Sequence, residues 1–275
     1  TNVVLTNIEL EHTECYDGIE DIIRTFQTFV SSANGLIVMC GDDKNVRKIK
    51  THTQTIYYGF DETNDLVAKN VKLTSLGSEF DVYQNGTFYG HFDLPLFGRH
   101  MILNALAAIA ICDYYGIGAK EIENSVHTFH GAKRRFKEIV AGDVVIIDDY
   151  AHHPTELRVT LEAAHQKYPD KELVAVFLPN TYSRTLALLD DFVEVLKKAD
   201  KTYIMDIHCD RERRENYQNV SSDMIIERVP DSEKISEDTV QKLLAHKNAV
   251  ICFMSCADIY IIERKFEDLL GVEHD

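Results

Sequence analysis

A chain of 275 residues is long enough for one large domain or two ordinary ones, each with its own core. With 45% hydrophobic and 27% charged residues the composition is globular, and no run approaches the roughly 20 apolar residues that cross a membrane. A net charge of -16 argues against a general binder of nucleic-acid backbones, which relies on clustered Lys and Arg, and leaves only local basic sites open. The six cysteines are scattered without a paired CxxC framework, so free thiols in a reducing, cytoplasmic setting are expected.

Taken in chain order, Val3 to Ile8 reads as an apolar strand. It begins so close to Thr1, with no signal-peptide pattern, that the expectation is a chain cut from a longer one. Ile19, Ile22, Ile23, Phe26, Phe29 and Val30 recur at helical spacing, and Gly35 to Cys40 is a second strand. From Thr53 to Phe97 the pattern turns to short alternating strands, with Asn85-Gly86 as a tight hairpin signal, and predicts an antiparallel edge or a small sheet. His100 to Tyr115 is a long helix closed by Gly116, and a shorter helix follows from Ala119 to about Phe129.

Past Gly131-Ala132 the pattern restarts. Strands are expected at Phe136 to Val140, Val144 to Ile147, Leu173 to Phe177, Thr202 to Met205 and Ala249 to Phe253. Helices are expected at about Pro154 to Lys167, Arg184 to Lys198, Glu237 to Ala245 and Ala257 to Leu270, and the polar run Asp206 to Asp223 is a loop or lid. Short, doubly apolar strands alternating with helices predict an α/β fold with a mostly parallel sheet covered on both faces. The chain is therefore split into residues 1–132 and 133–275.

Three clusters carry candidate chemistry. The strand Val144 to Ile147 delivers Asp148, Asp149, Tyr150, His152 and His153 at its carboxyl end, where open parallel sheets place their functional groups. Pro154 and Thr155 then open a helix whose N-terminus favours an anion. The bland alternative is that the two aspartates cap the strand and the histidines face solvent; a metal site from adjacent His152 and His153 is disfavoured, because neighbouring side chains on extended backbone diverge. Lys133-Arg134-Arg135 is either a phosphate or carboxylate clamp or a solvated basic turn. Thr6 to His12 supplies carboxylates and an imidazole after a strand, and a lone His there is more often structural than a ligand.

Four motifs then carry a resemblance over nearly the whole chain. Thr6-Asn7-Ile8-x-x-Glu11-His12, Gly98-Arg99-His100-x-x-x-Asn104-Ala105-x-Ala107-Ala108, Gly131-x-x-Arg134-Arg135-Phe136 and Asp148-Asp149-Tyr150-Ala151-His152-His153-Pro154-Thr155 stand in the order and spacing of the Mur ligases. The last is the most specific, and Phe136 after two arginines resembles the alanine-adding branch. The resemblance implies the later part of a central ATPase domain at 1–132, followed by a Rossmann-like amino-acid-binding domain at 133–275. It further implies an ATP- and Mg2+-dependent carboxylate-amine ligase of peptidoglycan precursor synthesis, with UDP-N-acetylmuramate and L-alanine as small-molecule substrates.

By the same resemblance His12 ligates magnesium, and His100 and Asn104 lie beside the adenine. Arg134 or Arg135 reaches the ATP phosphates, and Asp149 accepts from the ribose hydroxyls. Tyr150 and His152 approach the amino acid and the acyl phosphate, and Arg184 holds a substrate carboxylate.

The departures are informative. The family's GxxGKT/S loop is absent from these residues, so the chain alone is not expected to hydrolyse ATP. Glu11 replaces a usual Asp and Met101 a usual Asn. Leu178-Pro179-Asn180 stands where relatives carry Gln-Pro-His, and the run from His208 to Arg214 also differs. These changes keep open a ligase for a different amino acid or peptide, or a noncatalytic binding protein.

Overall fold

The computed structural model describes residues 1–132, 135–209 and 211–273. The chain divides into two compact units, Thr1–His130 and Gly131–Asp275.

The first unit is built on a six-stranded sheet. Its elements are β1 (Val3–Leu5), α1 (Ile19–Ser31), β2 (Ile37–Cys40), β3 (Thr55–Gly59), β4 (Leu66–Thr74), β5 (Gly77–Gln84), β6 (Thr87–Leu94), α2 (Arg99–Tyr114) and α3 (Ala119–His127), and the strand order follows the chain. The pairs from β1 to β4 are parallel and those from β4 to β6 antiparallel, so the alternating region is the antiparallel edge of one mixed sheet. Asn85 and Gly86 both adopt positive φ, 49° and 79°, as the predicted two-residue hairpin requires. Across that hairpin Phe80 opposes Phe92, their rings 5.7 Å apart and fully buried.

One face of this sheet packs on α1 through Ile22, Ile23 and Val30. The other packs on α2 and α3 through Ile102, Leu106, Ile109 and Ile122. The chain reverses after α2 at Gly116, φ 78°, where the amide of Ile117 donates to the carbonyl of Cys112 at 3.1 Å.

In the second unit the elements are β7 (Lys137–Ala141), β8 (Val144–Asp149), α4 (Pro154–Lys167), β9 (Glu172–Phe177), α5 (Tyr182–Ala187), α6 (Leu189–Leu196), β10 (Lys201–Ile204), α7 (Asp223–Ile226), β11 (Ser232–Lys234), β12 (Ala249–Met254) and α8 (Tyr260–Leu269). The sheet order is β11-β10-β9-β12-β8-β7, parallel throughout except for β7. Every residue of β8 and β12 is buried, as befits strands covered on both faces.

The structure departs from the expected elements in instructive ways. The expected helix from Arg184 to Lys198 is two helices, because Leu188 leaves helical geometry at φ -114°, ψ 22°. That break lets α5 bury the polar Arg184 and Thr185 while α6 buries Phe192, Val193 and Leu196. Glu237–Ala245 is a 3-10 helix, and its buried Val240 and Leu243 stand three apart, as a three-residue turn demands. The polar run after β10 contains a short 3-10 turn, Arg214–Tyr217, and a parallel bridge from His208 to Asn180.

Candidate functional site

The strand β8 runs on through Asp148 and Asp149, which are 8% and 6% exposed. The two side chains take opposite faces of the sheet. Asp149 accepts from the amide of Phe136 at 2.8 Å and from that of Ala151 at 2.9 Å. Burial pushes its carboxyl above the ordinary range, and the two amides and the Arg135 guanidinium oppose that shift. The Phe136 amide it holds belongs to a bulky residue at φ 54°, a left-handed conformation that such residues rarely adopt unless it is fixed from outside. Asp149 thus pins the turn that presents Arg135. Ribose hydroxyls, expected at Asp149, are left only the second lone pair of each oxygen.

Beyond Asp149 the chain turns into α4 through a set of mutual caps. Glu156 Oε2 accepts from the amides of His152 at 2.9 Å and His153 at 3.1 Å, while His153 Nδ1 accepts from the amide of Thr155 at 3.2 Å. Pro154 occupies the first turn, where its missing N–H costs nothing. His152 Nδ1 lies 2.9 Å from the Tyr150 carbonyl and 3.1 Å from Glu156 Oε2. Both neighbours only accept, so Nδ1 carries the proton and Nε2 is left as the acceptor of the ring. Tyr150 and His152 meet edge to face at 5.5 Å, and Arg135 stands 5.5 Å above the Tyr150 ring and 3.9 Å from Glu156. Arg135, Tyr150 and His152 are therefore gathered in one place. Arg134 lies outside the described residues.

Tyr150 also lines a cavity of about 220 Å³ with Asn180, His208, Arg211, Cys256 and Asp258. The strands β8, β9 and β12 end here, at the carboxyl edge where parallel sheets bind ligands. Ser255, fully buried, ties the three ends together: its amide donates to the Asp149 carbonyl at 3.2 Å, its hydroxyl to the Leu178 carbonyl at 2.9 Å, and its Oγ accepts from the amide of Ala257 at 3.0 Å. Arg184, 3% exposed, donates from Nη1 to the Asn180 carbonyl at 3.1 Å. The Cys256 thiol is pushed up by burial, and the charges of Arg184 and Arg211 oppose the shift.

In the first unit His100 and Asn104 stand one turn apart on α2, hence on one face, while Ile102, Leu106 and Ile109 face the core. His12 sits on a separate segment after β1, half exposed, at φ 52°, with Nδ1 3.4 Å from Glu14. No group of three metal-ligating side chains forms around His12 among the described residues. Toward a metal ion the described residues there would offer His12 as a single donor.

Sequence reasoning missed Glu156, Ser255, Cys256 and Asp258. The first follows the His-His-Pro-Thr run directly and is the acidic member of an N-terminal box. The others follow the fully apolar β12, and the end of a central strand was the signal to heed.

The sequence profile of the Mur ligase middle domain matches residues 1–112, and that of the Mur ligase glutamate ligase domain matches residues 134–256. Over 269 residues, 98% of its length, the chain is 42% identical to a UDP-N-acetylmuramate–L-alanine ligase of Levilactobacillus brevis, and it spans 60% of that protein. Among solved structures, the UDP-N-acetylmuramate-alanine ligase of Thermotoga maritima superposes with a TM-score of 0.77 at 21% identity, over 99% of this chain and 60% of that one. A MurF ligase from the same organism, in complex with ADP, gives 0.78 at 19% identity, over 98% and 62%. These two structural likenesses establish the fold alone.

Proposed function

The chain belongs to the Mur ligase family, and on that premise we propose that the natural protein carrying it joins L-alanine to the carboxylate of UDP-N-acetylmuramate at the expense of ATP. The observation that carries this reading is the 42% identity with the Levilactobacillus brevis ligase across 98% of the chain. Because the chain spans about 60% of that relative's length, activity is assigned to the whole natural protein.

In the reaction, the terminal phosphoryl group of ATP passes to the substrate carboxylate, giving an acyl phosphate and ADP. The amine then attacks the acyl carbon. A C–N bond forms, the C–O bond to phosphate breaks, and phosphate leaves with the electron pair while the amine releases a proton. In this reading the first unit handles the nucleotide, with His100 and Asn104 along the adenine and His12 as a donor to Mg2+. A magnesium ion supplies charge neutralisation on the phosphates. The unit at 133–275 brings the amino acid, and there Arg135, opposite Tyr150 and His152, offers its guanidinium to transferring phosphate oxygens. His152, its Nδ1 proton held by Tyr150 and Glu156, presents Nε2 as an acceptor for an amine or phosphate proton.

The six free cysteines suit a reducing cytoplasm, and no described helix is long and apolar enough to cross a membrane. Purified natural protein is expected to release phosphate only when UDP-N-acetylmuramate, L-alanine, ATP and Mg2+ are all present. Equal release without alanine sinks the reading. A second reading, a ligase for another amino acid, is favoured by Asn180 and the altered run from His208 to Arg214; a panel in which only alanine is consumed removes it.

A further inference from the structure

We propose that Glu79, His91 and Asp93, on the solvent face of the β5–β6 hairpin, form a surface site for one divalent transition-metal ion of the Zn2+ class. Each of the three offers a ligand atom, and these atoms all lie within 4.8 Å of one another. The proposal stands apart from the ligase reading, which assigns none of these residues.

The sheet brings the side chains together by register. Glu79 and Asp81 alternate along β5 with the buried Phe80 and Val82, and His91 and Asp93 alternate along β6 with the buried Phe92 and Leu94. The four polar side chains therefore share the open face. In the ladder Glu79 stands directly opposite Asp93, and Asp81 directly opposite His91. Two carboxylates in directly opposed positions repel, and a cation between them removes that cost. The side chains of Glu79, His91 and Asp93 are 42%, 52% and 55% exposed, so an ion reaches them from water without any opening of the fold.

The imidazole is oriented as a ligand. His91 Nδ1 lies 2.7 Å from Asp81 Oδ1, and the other oxygen of Asp81 accepts from Asn70 Nδ2 at 2.6 Å. The carboxylate only accepts, so Nδ1 carries a proton and Nε2 is the ring atom left to bind a metal. Nε2 lies 3.6 Å from Asp93 Oδ1, beyond hydrogen-bond range. Two ligands on a tetrahedral Zn2+ stand about 3.4 Å apart, so this pair is already close to the separation required. One nitrogen and two carboxylate donors, with water completing the shell, suit Zn2+, Co2+ or Ni2+ better than Mg2+, which takes oxygen ligands. Competition comes from β4, where Lys72 Nζ lies 3.4 Å from Glu79 Oε2; that pair is exposed and cheap to part. A bound ion joins β5 to β6 at the end of the hairpin remote from its Asn85-Gly86 turn.

The test is calorimetric titration of the natural protein, freed of metal with a chelator, using Zn2+ alone. Wild type is expected to take up one more Zn2+ than His91→Ala and to show the larger rise in melting temperature when Zn2+ is present. Asp81→Asn, which keeps all three ligands, is expected to weaken this uptake about tenfold, and Lys72→Ala to strengthen it. With Mg2+ in place of Zn2+, wild type and His91→Ala are expected to behave alike. Equal Zn2+ uptake by wild type and His91→Ala means that His91 serves only as an imidazolium paired with Asp81 and Asp93, and overturns the proposal. A difference that appears with Mg2+ and not with Zn2+ does the same. Asp93→Asn, with the imidazole intact, decides the case in which His91→Ala fails to fold: Zn2+ uptake equal to wild type in that variant overturns the site.

Discussion

Two turns at the same edge of one sheet are built on opposite principles. After β8 the side chains of Asp149, His153 and Glu156 take up the backbone amides of Phe136, Ala151, His152, His153 and Thr155. After β9 the backbone is knitted to His208 and Arg184, yet Asn180 Oδ1 and Thr181 Oγ1 are buried without hydrogen-bond partners among the described residues. A turn that satisfies itself is a scaffold. One that fixes its backbone and leaves buried side-chain acceptors unmet carries a local cost in stability.

The sharpest way to test the first half of the contrast is Asp149→Ala. It strands one buried and one part-buried amide and releases the left-handed turn at Phe136, and a loss of about 3 kcal/mol is expected, read as a lower unfolding midpoint in denaturant. A loss below 1 kcal/mol, within the noise of the extrapolation, means the turn holds without its carboxylate.

One residue earlier, the same strand breaks the rule. The charge of Asp148 acts on Glu263 of α8, which is 4% exposed and stands beside Glu267, 5% exposed, with Lys137 a cation that opposes the two acids. Burial first, then the charges of Asp148 and Glu267, push the Glu263 carboxyl up to about 8 from an ordinary 4.5. The folded state then binds more protons at Glu263 than the unfolded one between those values, so the contribution of this group to stability is full below about pH 4.5 and is lost as pH rises through about 8. The expected result is a melting temperature that falls by several degrees from pH 6 to pH 9, with Glu263→Gln flattening the slope. A wild-type slope retained in the variant assigns the titration elsewhere.

Smaller effects complete the contrast. Glu156→Ala removes the cap on two amides and is expected to cost about 1 kcal/mol in the same denaturant titration. Thr181→Val deletes an unmet hydroxyl and keeps the shape, and is expected to change stability by no more than about 0.5 kcal/mol, in the stabilising direction. A clear loss there reveals a partner for that hydroxyl.

What the sequence displayed was whatever local chemistry encodes. Asn85-Gly86 specified its hairpin because few other pairs accept two positive φ values, and Gly116 ended α2 for a related reason. The apolar run before Asp148 announced a buried strand with a polar end. What stayed hidden depended on partners far along the chain. Glu263 and Glu267, four apart on a helix, read as a solvated face until they are seen buried, with the charge of Asp148 acting on Glu263. Nothing in Asn180-Thr181 shows that its acceptors are unmet, and Ser232–Lys234 carries no apolar alternation to mark an edge strand.

The position of β12 has a consequence for how the second unit is made. It is the last of the described strands, yet it lies between β8 and β9, pairing with β9 from Ala249 to Met254 and with β8 from Val250 to Met254. Until residues 249–254 have left the ribosome, the sheet has a gap at its centre, and β8 and β9 each present a long apolar edge open to other chains. A nascent chain stopped before residue 249 is therefore a candidate for chaperone capture or aggregation, and the arrival of β12 acts as the closing stitch.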